Sequence, residues 1–523
     1  MNLTVHAIVP NRIVMKRCLT TCLACWCFSC LASPLFANST LESTLSNAGW
    51  LSSAMEQISI ERMMADIRTL SGPGYGGRLT GSAQDEASAT FIANRFSELR
   101  LYRSPGLPPE NRTNPLPQRE WKQTASVPMR TITGPSFVEF VTPRQRHPLQ
   151  SGSQFLPVLD SPSADIRGPV VFVGYGIVDP SSGIDDYADM DVRDAIVLFL
   201  RGKPETYAKP VNHAEKERLA KQRGAVGYLT ATGPILSAYE QRRGITGKPS
   251  AYYSSTANDD QLPGAWISTD TAEWVVAQTT TEAETLRDIQ ERLNRPGGSR
   301  SLRTEATVQM KWTSQVETGT LFNVISVIRG YAPSNDEAVL LGAHRDHFGQ
   351  QAGHLFAGAD DNASGTAVLL EVARVLALAS AAPKRSVLFL SFSGEEQGLL
   401  GSKLYVSQPI APLEKTIGMI NVDHAGAGNG RLTVGVTGLE RSTAQRIGEL
   451  AGLSDRLDLF GYFPGGDHVP FKEAGVPTVT VVSGGAHPHF HQPSDTADTV
   501  NPEILQSVAR YVLALTWQLA NQP

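Results

Sequence analysis

The rhythm of apolar and polar positions changes along this chain, and each rhythm predicts a different kind of element. Residues 55–102 hold apolar positions at helical spacing on both sides of a glycine-rich turn, "SGPGYGGRLTGS", which predicts two helices. A proline-rich stretch at 105–120 reads as a surface connection. From about 130 to 270 the texture turns to β. There "GPVVFVGYGI" (168–177), "DAIVLFLRG" (194–202) and "QLPGAWIS" (261–268) predict strands. Residues 270–294 read as helical and 295–301 as a turn.

From 303 onward, short apolar runs alternate with helix-period segments. Strands are predicted at "EATVQMKW", "FNVISVIRG", "EAVLLGAH", "SVLFLSFS", "IGMINVD", "LTVGV" and "PTVTVVSG". Helices are predicted at "GTAVLLEVARVLALAS", "STAQRIGELAG" and "PEILQSVARYVLALTWQLAN". Almost wholly apolar runs are those of strands covered on both faces. The alternation predicts a doubly wound mixed α/β sheet with helices on both faces, built from residues 45–125 and 305–523, with a β-rich domain inserted at 130–300.

Composition narrows the class. The 523 residues are 41% hydrophobic and 19% charged, with a formal net charge of −5, which leaves no electrostatic footprint for nucleic acid. All five cysteines (Cys18, Cys22, Cys25, Cys27 and Cys30) fall in one apolar window after Met15-Lys16-Arg17. A basic start, an apolar stretch and a small residue near Ala37 predict a secretory signal peptide over 1–37 and an exported mature chain without disulfides. Any metal must then be held by histidines and carboxylates. No later segment is long and apolar enough to predict a membrane span.

The chemistry collects where strands end. Eight of the eleven histidines lie between His344 and His491. Open α/β sheets bind ligands beyond the carboxyl ends of their strands. "EAVLLGA" is followed by His344-Arg345-Asp346-His347, and Asp346 is placed to accept from the His344 nitrogen that faces away from a metal. "GADDNASG" (358–365) puts Asp360 and Asp361 before a long apolar helix, where they either cap it or bridge two cations. Glu395 and Glu396 follow the next strand, Asp423 another, and His487, His489 and His491 the last. Adjacent glutamates diverge, so one can ligate metal while the other takes a proton. Two histidines and three carboxylates suit a pair of zinc ions sharing one carboxylate.

These motifs resemble those of the M28 family of zinc aminopeptidases and carboxypeptidases: "AHRDH", "ADDNASG", "GEEQGLLGS", "NVDHAG" and "FHQPSDT" occur in that family's order. The resemblance implies a zinc-peptidase-like fold of the phosphorylase/hydrolase type, and a protease-associated domain for the insert at 130–300. It implies that Asp361, not Asp360, bridges two zinc ions. His344 and Asp423 would complete one site, and Glu396 and His491 the other. Glu395 would be the general base for a zinc-bridging water, Asp346 would support His344, and Asp467 and His468 of "GGDHVPF" would line the substrate site. The implied reaction is removal of N-terminal residues from peptides. A carboxypeptidase, a receptor-like binding protein without catalysis and an acyl-transferring cyclase are the other activities such a scaffold admits.

Three positions depart from the family pattern. Phe490 stands where some members have a tyrosine able to bond the oxyanion. His424 follows Asp423 where an apolar residue is frequent, and reads as either site wall or satisfied core. Arg345 stands where tyrosine is common, and reads as either an anchor for an anionic substrate or a solvent-facing side chain.

Overall fold

One strand organises the molecule. In the computed structural model, β6 (Ser301–Ile328) runs for 28 residues and belongs to both halves of a single 14-stranded sheet. The structure describes residues 49–99 and 122–522, with breaks at 238–239, 242–243, 255–260, 280–283, 299–300, 332–336, 381 and 463. The predicted signal peptide and the 105–120 connection lie outside the described residues. The unit spanning Leu51–Pro523 is the one described below.

Helix α1 (Ile60–Leu70) begins where the Ser59 side chain accepts from Arg62 N–H, and α2 (Ala83–Glu98) where Ser82 does the same for Asp85. Strand β1 (Lys122–Val141) then pairs antiparallel with β6. The chain continues as β2 (Ala164–Val173), β3 (Ile196–Leu200), α3 (His213–Gln222), β4 (Gly227–Ala231), β5 (Gly264–Ile267), α4 (Thr269–Val276) and α5 (Leu286–Leu293). After β6 come β7 (Ala338–His344), α6 (Gly365–Ala377), β8 (Ser386–Phe392), α7 (Leu400–Ser407) and β9 (Thr416–Asp423). The chain ends with β10 (Leu432–Thr437), α8 (Arg441–Leu450), β11 (Leu457–Phe460), α9 (His468–Glu473), β12 (Thr478–Ser483) and α10 (Pro502–Asn521).

The sheet order is β11-β10-β12-β9-β7-β8-β6-β2-β3-β4-β5, with a short edge strand at Phe155–Pro157. Strands β8, β7, β9 and β12 are mutually parallel, so their carboxyl ends share one rim. β6 lies antiparallel to both β8 and β2. Apolar clusters cover the sheet, among them Ile325, Leu340, Leu388, Phe392, Met419 and Phe471 beside the rim strands. The expected mixed α/β sheet is therefore present. What differs is the join: the two strands expected on either side of residue 313 are one strand, and the helix expected over 270–294 is two helices. The polar middle of β6 is held by its ladder with β1, not by burial. Among the described residues no helix is long and apolar enough to cross a membrane.

Lys216 on α3 is 3% exposed, donates to the carbonyls of Leu200 (2.8 Å) and Gly202 (2.5 Å), and lies over the Tyr175 and Phe199 rings. Burial, only partly opposed by Asp186, pulls its ammonium from the ordinary 10.5 down to about 7. Between these values the unfolded chain holds more protons than the folded one, so stability rises with pH across that window. Below about 7 both states are charged and the burial penalty is fully present. The Tm of the wild-type chain is expected to climb relative to Lys216→Met as pH goes from 7 toward 10; a pH-independent difference would refute this.

Candidate metal centre

The rim formed by the parallel strands gathers the predicted residues. His344 is the last residue of β7 and Asp423 the last of β9. Glu395 and Glu396 follow β8, Asp361 lies in the Ala359–Ser364 turn that leads into α6, and His491 follows β12. A β-strand rises about 3.3 Å per residue, so strand ends in register deliver these groups to one place. His344 Nε2 lies 3.4 Å from Asp361 Oδ1 and 3.3 Å from Asp423 Oδ1. His491 Nε2 lies 3.0 Å from Asp361 Oδ2 and 3.4 Å from Glu396 Oε2. Asp361 thus belongs to both clusters, and its two oxygens face different imidazoles.

What each imidazole does with its other nitrogen decides which atom faces inward. His491 Nδ1 donates to the Ala251 carbonyl at 2.9 Å, which leaves the Nε2 lone pair toward the carboxylates. His344 Nδ1 meets the main-chain carbonyl of Asp346 at 3.3 Å, while the Asp346 carboxylate is 3.6 Å away. The expected support therefore comes chiefly from the backbone of Asp346. Its carboxylate instead accepts from the main-chain N–H of Glu395 (3.3 Å) and Glu396 (3.4 Å) and from the Thr80 hydroxyl (3.0 Å). Asp346 thus ties both glutamates to the end of β7.

Charge is the second sign of a cation site. Asp360, Asp361, Glu395, Glu396, Asp423 and Asp467 crowd one region, and the two arginines buried beside it are committed elsewhere. Arg78 donates to the carbonyls of Arg345, Leu70, Ala357 (2.8 Å) and Gly358 (2.7 Å). Burial, opposed by His344 and reinforced by Asp423 and Asp467, lifts Glu395 to about 8. Burial together with Asp361 and Glu395 raises Glu396 well above the carboxylate range. Asp361 Oδ2 is buried with no aligned hydrogen-bond donor, although His491 Nε2 is 3.0 Å away. Two lone-pair atoms facing each other at that distance, among unneutralised carboxylates, fit a shared cation.

Other predicted residues are placed as follows. Asp467, fully buried just before α9, is pushed up to about 7 by burial. His468 is 2% exposed and its Nδ1 bonds Thr480 Oγ1 at 3.0 Å. Neither is among the residues lining the cleft. Arg345 corrects both of its expected readings: it is 0% exposed and reaches neither solvent nor cleft, because it pairs with Asp85 at 2.8 Å. Phe490 stacks on His491 with ring centroids 3.6 Å apart. His424 is site wall, with side-chain exposure of 14%.

Several site residues were not singled out from the sequence. His347 Nδ1 lies 2.7 Å from Glu396 Oε1 and so leaves Oε2 to face inward; it sat in view inside "AHRDH". Asp495 accepts the main-chain N–H of Asp360 (2.8 Å) and Asp361 (3.0 Å), and "PSDT" was its signal. Arg201, Ile245, Tyr252, Tyr253 and Trp266 line the same cleft as Asp361, Glu395, Glu396, Asp423, His424 and His491.

Histidines and carboxylates converging beyond the parallel strand ends of an open α/β sheet form a donor set suited to a metal ion. Residues 323–516 match Peptidase family M28. Over 348 residues it is 25% identical to a probable leucine aminopeptidase of Arthroderma otae, spanning 65% of this chain and 85% of that one. It is 29% identical to aminopeptidase YwaD of Bacillus subtilis over 236 residues, which are 41% of this chain and 47% of that one. The chain thus spans only about half the length of the second relative. The fold matches a solved zinc aminopeptidase from Bacillus subtilis with a TM-score of 0.57 at 20% identity, covering 89% of this chain and 96% of that one.

Proposed function

We propose that this chain is an exported di-zinc aminopeptidase. The observation that carries the reading is the pair of donor clusters sharing Asp361, His344 and Asp423 on one side and Glu396 and His491 on the other. When bound, zinc supplies Lewis acidity that acidifies the attacking water and polarises the scissile carbonyl. The protein's own residues do the rest. Glu395 lines the cleft and is held at its main chain by Asp346, so it takes the water's proton and returns it to the leaving amine. The surplus carboxylates favour an N-terminal ammonium at the rim. Residues 130–300 form a protease-associated domain in this reading, and its Tyr252, Tyr253 and Trp266 wall off the peptide from water.

One observation favours a second reading. Arg201, stacked over Trp266 (5.2 Å) and 3.5 Å from Glu240, brings a guanidinium to the cleft, which suits the terminal carboxylate of a carboxypeptidase substrate.

Purified protein is to be assayed on unblocked, N-acetylated and C-amidated dipeptides. The aminopeptidase reading expects cleavage of unblocked and C-amidated peptides, loss of activity on exhaustive chelation, and recovery on adding zinc. Cleavage confined to peptides with a free carboxylate, N-acetylated ones included, would establish the carboxypeptidase instead. Activity that survives chelation would end the zinc assignment.

A further inference from the structure

One buried hydroxyl beside the metal centre comes from the link between α1 and α2, 266 residues before the carboxylate it meets. That link is fixed on two sides. Gly77 takes φ +71, and a Cβ there would lie 2.2 Å from the Phe356 carbonyl oxygen, so the close approach requires glycine. Gly349 N–H donates to the Gly77 carbonyl (3.0 Å), and Leu79 forms a parallel bridge with His347. Between them, Arg78 donates to the Arg345 carbonyl and to those of Ala357 (2.8 Å) and Gly358 (2.7 Å). The link is thereby held both to the segment after His344 and to the segment before Asp361. Thr80 follows directly, so these contacts set its position.

Thr80 is 0% exposed, and its hydroxyl donates to Asp346 Oδ2 at 3.0 Å. Chemistry fixes the direction, because an ionised carboxylate only accepts. Ser393 Oγ, 3.3 Å from Thr80 Oγ1, gives its single proton to Asp85 Oδ2 at 2.8 Å and so does not compete for Asp346. Asp346 also accepts from the N–H groups of Glu395 (3.3 Å) and Glu396 (3.4 Å), both longer than the Thr80 bond. His344 Nδ1, 3.6 Å from Asp346 Oδ1, offers a competing direction. The Cβ–Cγ torsion of an aspartate is broad, and Thr80 is the side-chain donor that selects the setting facing the two glutamates.

We propose, on the peptidase reading above, that Thr80 is a positioning residue of the metal centre. Its hydroxyl aims the Asp346 carboxylate at the main-chain N–H groups of Glu395 and Glu396. It thereby sets where the proton acceptor and the metal-facing Glu396 stand. Thr80 itself touches neither substrate nor metal, and its role needs no change of protonation. Without the hydroxyl, Asp346 keeps its charge but is free to swing toward His344, and the Glu395–Glu396 turn loses its anchor.

The test measures zinc affinity, by competition with a chelator, and kinetics on an unblocked dipeptide for wild type, Thr80→Val and Thr80→Ser. Thr80→Val is then repeated in an Asp346→Ala background. Thr80→Val keeps the shape of the side chain and removes only the hydroxyl. It is expected to weaken zinc binding and to lower kcat by about 10–100-fold with KM unchanged, and Thr80→Ser to restore most of both. In the Asp346→Ala chain, Thr80→Val is expected to cost no further zinc affinity, because a residue that acts through another is not additive with it. A hydroxyl that merely satisfies the core predicts a lower Tm with zinc affinity and kcat intact. That outcome overturns the proposal, as does an equal loss of affinity with and without Asp346. Should Thr80→Val not fold, Thr80→Ala is measured in the same way. A wild type that cleaves peptides but is indifferent to Thr80→Val overturns this role alone. A wild type that binds zinc yet is inactive on every peptide sinks the peptidase reading, and the zinc-affinity comparison still decides the role of Thr80.

Discussion

Exchanging Glu395 for Gln is expected, on the function proposed above, to lower kcat by about 10²–10⁴-fold while the zinc content stays unchanged. The amide keeps the size and the main-chain bond to Asp346 Oδ1 at 3.3 Å, so the loop stays where it is. Only the ability to take up a proton is lost. Glu396→Gln provides the contrast, because Glu396 Oε2 faces His491 Nε2 at 3.4 Å inside the second donor cluster. That variant is expected to lose metal as well as activity. Zinc per chain, measured beside kcat, separates the two glutamates. Equal kcat for Glu395→Gln and wild type would remove the general base from the mechanism, and zinc loss in Glu395→Gln would exchange the two roles.

Arg345→Met is expected to destabilise the fold by about 3–5 kcal/mol. The guanidinium has no exposed surface and pairs with Asp85 Oδ1 at 2.8 Å. Its remaining donors reach the Ser88 hydroxyl (3.0 Å) and the carbonyls of Ser391 (3.1 Å), Phe392 (3.2 Å) and Phe322 (2.7 Å). The substitution would strand a buried carboxylate and several carbonyls at once. Asp85→Leu combined with Arg345→Met removes both charges and is expected to recover part of the loss. Urea unfolding of the two variants checks this; a loss under about 1 kcal/mol for Arg345→Met would mean the pair behaves like a surface ion pair.

Arg345 also shows where sequence reading stops. Its position after an apolar strand is evident, yet its partner Asp85 lies 260 residues earlier, and a linear pattern carries no trace of that pairing. Arg78 is the same case: "GRLTGS" reads as a turn, and only the fold shows that its guanidinium gathers carbonyls from three separate segments. His344, Glu395, Glu396 and Asp423 were legible because each follows an apolar run, and an α/β sheet places such ends on one rim. Asp361 was legible as one of a pair, and choosing it over Asp360 needed the family resemblance. In the structure Asp361 faces His344 and His491, whereas Asp360 turns to His487 and Gly426. The start of β1 was not expected, because "KQTASVPMRT" has no clean alternation and gains its order from the ladder with β6.

The bond between His491 and Ala251 ties the two parts of the molecule in another way. His491 Nδ1 donates to the Ala251 carbonyl, and Ala251 N–H donates back to the His491 carbonyl at 2.8 Å. Ala251 packs with Leu156, Leu159, Phe348 and Phe356 in one apolar cluster. A loop release that breaks this reciprocal pair would let the imidazole rotate and exchange tautomers. In the proposed metal centre, metal binding and loop opening are linked equilibria, so zinc held by His491 would disfavour the open loop and a tightly packed loop would raise the affinity for the ion.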